Sequence, residues 1–287
     1  MANLGITISS RAMFSSWTYH QPTRSAFDSG EGLSLHLLTR IFGIRNVFVS
    51  HGHQDHVGGL ATLIGLRAKL KGDTAAPLTI YGPHDNLSLD RLRQYIEWSW
   101  PELPYELSWH YLIPGQTVQL DKSHRIECFP MAHQRNATTL GYRLAEERKR
   151  LIPSMVAEIK GMVGSEVGAR LAALRAAGQV IDEVYHTSTF CYALDTYQLN
   201  PAEVVGADLV VADCTFLDVS QRDEQDKAHA SLDESAKVCA DAGVKHMICA
   251  HVSLRNNIKA VVKRAAELEQ ELGLKITVCD PSTILTL

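Results

Sequence analysis

The sequence predicts an α/β layered sandwich. Three observations lead there: short β-like runs alternate with helical stretches, 45% of the residues are apolar, and 21% are charged, close to globular averages. A chain of 287 residues with this pattern is expected to form one domain, residues 1–287, with an insertion, because α/β folds of this size are often a single unit around one sizeable core.

Taken in order, the first clear strand is NVFVS at 46–50, which has the composition of a buried strand, and a helical pattern follows at 58–71. PLTIYG (77–82) is the next strand-like run, ahead of a helical stretch at 86–97. RIECFPM (125–131), DLVVADC (208–214), HMICAHV (246–252) and KITVCD (275–280) continue the series. Helical patterns lie between them at 155–176, 231–242 and 255–272, with apolar residues near the 3.6-residue period. One stretch changes composition. Residues 145–183 are charged, Gly-punctuated and helical, and are expected to form an inserted arm or cap.

Charge and composition exclude several classes. A formal net charge of -4 argues against a protein that holds nucleic acid by bulk charge, so any such contact must be local. Residues 1–17 lack the basic and apolar regions of a secretion signal, and no apolar run approaches the ~18 residues of a membrane span. A cytoplasmic protein with no membrane partner is expected. The six cysteines, Cys128, Cys191, Cys214, Cys239, Cys249 and Cys279, form no C-x-x-C pair and, Cys279 apart, sit among apolar residues, as buried reduced thiols do. There is no G-x-S-x-G elbow, no phosphate-binding G-x-x-x-x-G-K-S/T loop and no G-x-G-x-x-G after a strand, which removes serine-hydrolase and nucleotide-loop readings.

The stretch FVSHGHQDHVGGL, residues 48–60, sets His51, His53, Asp55 and His56 within six positions at the end of the first strand. Open α/β sheets bind ligands at the carboxyl ends of their strands. His51 and His53 project to the same side of an extended segment, and the turn after them brings Asp55 and His56 round to meet them. Imidazole nitrogen and carboxylate oxygen suit zinc, with manganese or iron also possible ligand partners. Gly58 and Gly59 permit tight backbone before the helix. His133, Asp195 and His251 each follow a strand-like run (IECFPM, FCYAL and HMICA), where side chains from separate strands converge. His20, His36, His84, His110, His124, His186 and His246 have no spaced partners and are read as surface or packing residues. Met155, Ile159, Met162 and Val163 are read as ordinary apolar packing.

H-x-H-x-D-H resembles the first metal motif of the metallo-β-lactamase superfamily. The segments around it are similar to the ribonuclease Z (tRNase Z) branch: HGHQDHVGGLATLIGLR with PLTIYGP, MAHQRNATTLGYRLAEE, YALDT, DLVVADCTFLD, AHASLDESAKVCADAGVKHMICAHVSLR and the early FDSGEG. These cover most of residues 26–255 in unbroken order. The resemblance implies a four-layer αβ/βα metallo-β-lactamase sandwich, a homodimer and two metal ions, zinc first among the candidates. His51, His53 and His133 would hold one ion, Asp55, His56 and His251 the other, and Asp195 would bridge them.

Two cations about 3.5–4 Å apart activate a water and clamp the attacking and leaving oxygens of an in-line displacement at phosphorus. Phosphodiester hydrolysis is therefore the expected reaction. Asp55, besides ligating, is placed to accept the water's proton. The resemblance further implies an acid dyad of His229 (in AHAS) and Asp213 (in VADCTF), in which the carboxylate orients the imidazole and the imidazolium protonates the leaving oxygen.

Three departures from the family bear on this expectation. Asp213 stands where the family has glutamate. ITISSRAMFSSWTYHQPTRSAFDSG replaces the usual Gly-rich N-terminal strand end. The interval from Arg143 to Leu194 is shorter than the arm with which relatives grip transfer RNA, and it contains no Gly-Pro pair. The expected substrate is RNA, precursor tRNA 3′ ends foremost, ahead of a small phosphodiester such as a cyclic nucleotide. A non-catalytic metal-stabilised scaffold or RNA-binding protein is a third reading, against which the full ligand set argues. The insert places many of Val156, Ile159, Val163, Val167, Leu171 and Leu174 on one helical face, with Arg148, Lys149, Arg150 and Lys160 as local positive charge. It is expected to lie near the active site of a dimer partner.

Overall fold

The structure, a computed structural model, describes residues 4–221 and 228–287. It begins with strands β1 (Ile6–Arg11), β2 (Ser15–His20) and β3 (Ser25–Phe27), then α1 (Leu33–Leu37) and β4 (Asn46–Phe48). Next come α2 (Gln54–Val57), α3 (Leu60–Lys71), β5 (Leu78–Pro83), α4 (Leu87–Ser99) and β6 (Leu107–Leu112). The second half runs through β7 (Thr117–Gln119), β8 (His124–Pro130), β9 (Leu140–Leu151), α5 (Pro153–Glu158), α6 (Gly164–Ala176) and β10 (Asp182–Ala193). It closes with α7 (Pro201–Val204), β11 (Val210–Asp213), α8 (Leu232–Asp241), β12 (His246–Ala250), α9 (Ile258–Leu272), β13 (Lys275–Val278) and β14 (Leu285–Thr286).

The strands make two seven-stranded sheets, ordered β14-β1-β2-β3-β4-β5-β6 and β13-β12-β11-β10-β9-β8-β7. Each sheet is part antiparallel and part parallel: β3 to β6 run parallel in the first, β10 to β13 in the second. Parallel strands need both faces covered, and both are. Phe27, Phe48, Tyr142, Phe190 and Tyr192 pack with Ile8, Val211 and Ile248 between the sheets. Leu33, Leu37, Leu60, Leu63, Ile64 and Ile96 of α1, α3 and α4 cover the outer face of the first sheet, and Leu232, Ala236, Val261, Ala265 and Leu268 of α8 and α9 that of the second. The layering is the expected αβ/βα sandwich. All six cysteines are free and buried.

The expected strands and helices from residue 46 onward lie within a few residues of their observed bounds. The insert differs. Residues 145–151 and 182–183, read as helical, are the outer parts of β9 and β10, paired antiparallel from Asp182↔Leu151 inward. The single helix expected at 155–176 is two, divided at Gly161, whose φ of 88° suits glycine. Of the apolar stripe read as packing, Met155 and Ile159 are half-buried, but Met162 and Val163 are exposed; on the expected helical face Leu174 is buried and Val156 exposed. Nor is the arm a basic surface. Six Lys and Arg in 145–183 are matched by six Asp and Glu, and Arg148 pairs with Glu146, Arg150 with Glu183, Arg170 with Glu158 and Arg175 with Asp182.

His20, at the end of β2, is buried between the sheets with its ring 5.7 Å from that of Phe190 and Nδ1 2.8 Å from Thr23 Oγ1. Burial, with a smaller push from His124, lowers its pKa from 6.5 to about 4. The unfolded chain therefore takes up this proton first. The stability gained from a neutral His20 is complete above pH 6.5 and is lost as pH falls from there to about 4. Urea unfolding at a series of pH values should show His20→Gln losing less stability than the parent over that window, with the parent's extra slope at most about 1.4 kcal/mol per unit. Equal slopes would contradict the assignment.

Candidate metal centre

The site forms where strands from both sheets end at one edge. β4 leads through Val49 and Ser50 into His51, and β8, β10, β11 and β12 lead into His133, Asp195, Asp213 and His251. The register aligns the last three strands, with Ala193 opposite Ala212 and Asp213 opposite Ala250. Asp28, Asp195 and His251 all adopt positive φ, 57°, 58° and 58°. Such left-handed backbone is costly for non-glycine residues and clusters at functional sites. The loop of residues 51–59 presses on the segment after β3 so closely that a Cβ on Gly59 would collide with the Gly30 carbonyl. His229 is held by the capping box of α8, two residues on, in which Ser231 and Glu234 exchange side-chain and backbone hydrogen bonds.

Eight side-chain atoms face inward as two groups that share one carboxylate. In the first group His51 Nε2 and His53 Nδ1 are 2.9 Å apart, His133 Nε2 is 3.2 Å from His53 Nδ1, and Asp195 Oδ2 lies 3.7 and 3.6 Å from His51 and His133. In the second, Asp195 Oδ1 is 3.3 Å from both His56 Nε2 and His251 Nε2, while Asp55 Oδ2 is 3.6 and 3.5 Å from those nitrogens. A tetrahedral ion with bonds of about 2.0–2.1 Å separates its ligand atoms by roughly 3.3 Å. The four separations given for each group, 2.9–3.7 Å and 3.3–3.6 Å, lie around that value. Asp195 is shared by offering one oxygen to each.

Every inward imidazole is fixed by a partner on its other nitrogen, which selects the tautomer. His51 Nδ1–H donates to Ser50 Oγ (3.0 Å), whose hydroxyl donates to Asp28 (2.8 Å); His56 Nδ1–H donates to Asp28 directly (2.6 Å). His133 Nδ1–H donates to the Ala228 carbonyl (2.9 Å), and His251 Nδ1–H to Thr215 Oγ1 (2.8 Å). His53 Nε2 lies 2.8 Å from the side-chain amide of Gln134, which also contacts Asn86. Asp28 additionally accepts from Tyr192 Oη (2.8 Å) and the Ser50 amide (2.6 Å).

Four carboxylates, Asp28, Asp55, Asp195 and Asp213, are buried here at 9% exposure or less. Among the described residues their ion pairs are all with histidines, and none is with Lys or Arg. Burial raises the Asp195 pKa, but the charges of His251 and His56 outweigh it and hold the group well below the usual carboxylate range. Burial, then the neighbouring His56, keeps His51 well below its ordinary value; burial likewise lowers His53 and His133, so these lone pairs are available. His56 goes the other way. Burial opposes its charged form, yet Asp195 and Asp28 together raise its pKa well above the ordinary value. Protein hydrogen bonds leave Asp195 Oδ1, His56 Nε2 and His251 Nε2 buried and without partners among the described residues. Orphaned polar atoms, buried carboxylates and ligand-atom separations near 3.3 Å together fit bound cations.

Beside these groups His229 Nδ1–H donates to Asp213 Oδ2 at 2.8 Å. The shorter aspartate thus still reaches the imidazole. His229 lies between His133 and His251, with ring centroids 4.9 and 5.0 Å away. A cavity of about 520 Å³ opens over the cluster, and its walls include Met13, Asp55, Phe216, His229 and Arg255. The Met13 amide, at the tip of the β1–β2 hairpin, donates to Asp55 Oδ2 (3.0 Å). The structure brings all nine sequence-read site residues together. The sequence reading missed Asp28, Ser50, Gln134, Tyr192 and Thr215, which orient the ligand-type side chains, and it missed the Met13 hairpin and Arg255 on the cavity wall.

Residues 27–169 match the β-lactamase superfamily domain. Over that stretch the chain is similar to the β-lactamase superfamily. Among relatives, the ribonuclease Z of Haloferax volcanii is 28% identical over 247 residues, covering 81% of this chain and 76% of that one. The ribonuclease Z of Gemmatimonas aurantiaca is 27% identical over 260 residues, covering 85% and 80%. Among solved structures, the short form of human tRNase Z superposes with a TM-score of 0.66 at 17% identity over 98% of both chains. Zn(2+)-bound PqqB from Methylobacterium extorquens does so at 0.63 and 13%, over 98% of this chain and 99% of that one. A metallo-β-lactamase fold implies divalent-metal binding, and the His/Asp cluster is the place for it in this chain.

Asp28 supports two of the inward imidazoles and the inter-sheet Tyr192 at once. Asp28→Ala should leave these buried donors unpaired, lower stability by about 3–5 kcal/mol and reduce bound metal. Urea denaturation and elemental analysis check both, and a variant as stable as the parent would refute the role.

Proposed function

We propose that the protein is a metal-dependent phosphodiesterase of ribonuclease Z type that hydrolyses RNA, with precursor tRNA 3′ ends as the foremost substrate. The observation that carries this reading is the pairing of two four-atom donor groups, joined through Asp195, with an adjacent carboxylate–imidazole dyad. We assign His51, His53 and His133 to one ion, Asp55, His56 and His251 to the other, and Asp195 to both. Zinc suits this nitrogen and oxygen set best, and manganese or iron would also be accepted. When bound, two such ions supply Lewis-acid activation of water and neutralise charge at phosphorus.

The chain's own residues do the rest. Asp55 lines the cavity, where His251 and His56 keep it ionised against the opposing effect of burial, so that its carboxylate can accept a proton. Asp213 holds His229 by Nδ1, which turns the other ring nitrogen to carry the proton delivered to the leaving oxygen. Arg255 adds positive charge at the wall for the phosphate. The cavity admits the nucleotides around the scissile bond, while the rest of an RNA must lie outside. Because the arm's arginines are ion-paired, its grip on a phosphate backbone would be weak and only mildly salt-dependent. Six buried free thiols suit a reducing cytoplasm, and the described helices include none long and apolar enough to cross a membrane.

A homodimer is part of the same proposal. Val156, Met162, Val163, Val180 and Val184 leave an apolar surface on the arm, suited to covering by a second copy near its active site. Light scattering should report a dimer, and deletion of 150–178 should change substrate preference more than metal content. Strict monomers, or an unchanged ratio of RNA to cyclic-nucleotide cleavage, would contradict this.

The metal-loaded protein should cleave precursor tRNA in preference to cyclic nucleotides when both are assayed side by side. The reverse preference would transfer the same chemistry to a small phosphodiester, and activity on neither would sink the proposal. His229→Ala should retain metal yet lose about 10²–10⁴-fold in rate. That loss should shrink on bis(p-nitrophenyl) phosphate, whose leaving group needs no proton. Equal losses on both substrates would exclude the acid role.

A further inference from the structure

Asp213 does more than orient His229. Its Oδ2 accepts from His229 Nδ1–H (2.8 Å) and from the Thr196 amide (3.0 Å), one residue after Asp195. Its Oδ1 accepts from the Thr215 amide (2.9 Å) and the Thr215 hydroxyl (2.7 Å). That hydroxyl, having given its only proton to Asp213, must use a lone pair toward His251, and it lies 2.8 Å from His251 Nδ1. The direction of each bond is therefore determined. His251 Nδ1–H donates to Thr215, Thr215 O–H donates to Asp213, and His251 Nε2 is left as a bare lone pair facing Asp195 Oδ1 and Asp55 Oδ2.

We infer that Thr215 is a positioning residue for the metal centre, relaying the charge of Asp213 to His251, so that one buried carboxylate serves both the acid imidazole and a metal-facing imidazole. Both residues are almost inaccessible, Asp213 at 1% and Thr215 at 7% exposure, so no solvent replaces the missing partner if the hydroxyl is removed. Hydrogen bonding to a carboxylate through the outer nitrogen fixes the tautomer and raises the basicity of a ligating imidazole. Here a hydroxyl stands between the two. The arrangement also fits aspartate in place of glutamate, since all four bonds to the carboxylate are already 2.7–3.0 Å long.

The inference rests on the metal-centre reading, and a chelator competition titration of zinc on the purified full chain separates the two. Thr215→Val keeps the shape and removes the relay, and should weaken retention of the zinc assigned to His251 by about 10–100-fold. Thr215→Ser should restore it to within about twofold of the parent. His229→Ala should leave retention unchanged, because it removes only the acid branch of the network. In the zinc-loaded parent, proton nuclear magnetic resonance should show one protected imidazole N–H signal that Thr215→Val loses and Thr215→Ser keeps. Parent-like retention in Thr215→Val, or failure of Thr215→Ser to rescue a variant that unfolds at the parental midpoint, would overturn the relay. A parent that binds no zinc would instead overturn the metal-centre reading.

Discussion

Four carboxylates buried side by side, with histidines as their only described ionic partners, form the constraint around which this fold is organised. Ionised groups in so dry a place cost several kcal/mol each unless they are paired and hydrogen-bonded. The structure answers with imidazoles for Asp55 and Asp195, with Ser50, Tyr192 and His56 for Asp28, and with Thr196, Thr215 and His229 for Asp213. Among the described residues Asp195 Oδ1, His56 Nε2 and His251 Nε2 still have no hydrogen-bond partner. The proposed cations would complete the balance at the two groupings of ligand atoms.

The two sheets contribute unequal shares to that balance. The first supplies His51, His53, Asp55, His56 and Asp28; the second supplies His133, Asp195, Asp213, His229 and His251. Neither set is complete alone, so the site exists only when the sheets are packed together. The aromatic layer between them does the packing and also reaches the site. Tyr192 donates to Asp28, and Tyr142 donates to the Val49 carbonyl (2.6 Å) just ahead of the first histidine. Stability of the core and alignment of the ligand-type side chains are thereby linked, which is also why left-handed backbone at Asp28, Asp195 and His251 can be sustained.

What could be read from the sequence follows from how local each signal is. His51, His53, Asp55 and His56 announce themselves because four ligand types fall on one turn, and the buried parallel strands because their apolar runs are uninterrupted. His133, Asp195, Asp213, His229 and His251 were legible only through their place in a series of motifs. The supporting residues leave no such trace: Asp28 meets Tyr192 164 positions away, and Ser10 Oγ receives the His251 amide across 241. A serine or threonine at those distances looks like any other polar residue. The arm misled for another reason. EERKR at 146–150 lies in a ribbon wetted on both sides, so it has no alternating apolar face, and only its backbone pairing with β10 reveals a strand. Beyond residue 151, one helical pattern concealed a break between Glu158 and Gly164 in which Gly161 takes a positive φ.

The central claim is that Asp195 lies between two cations. Anomalous diffraction from crystals grown with zinc, recorded on both sides of the zinc absorption edge, tests it most directly. Two peaks are predicted, one about 2.0–2.2 Å from each oxygen of the Asp195 carboxylate, the first among His51, His53 and His133 and the second among Asp55, His56 and His251. A single peak, or zinc bound away from Asp195, would contradict the account.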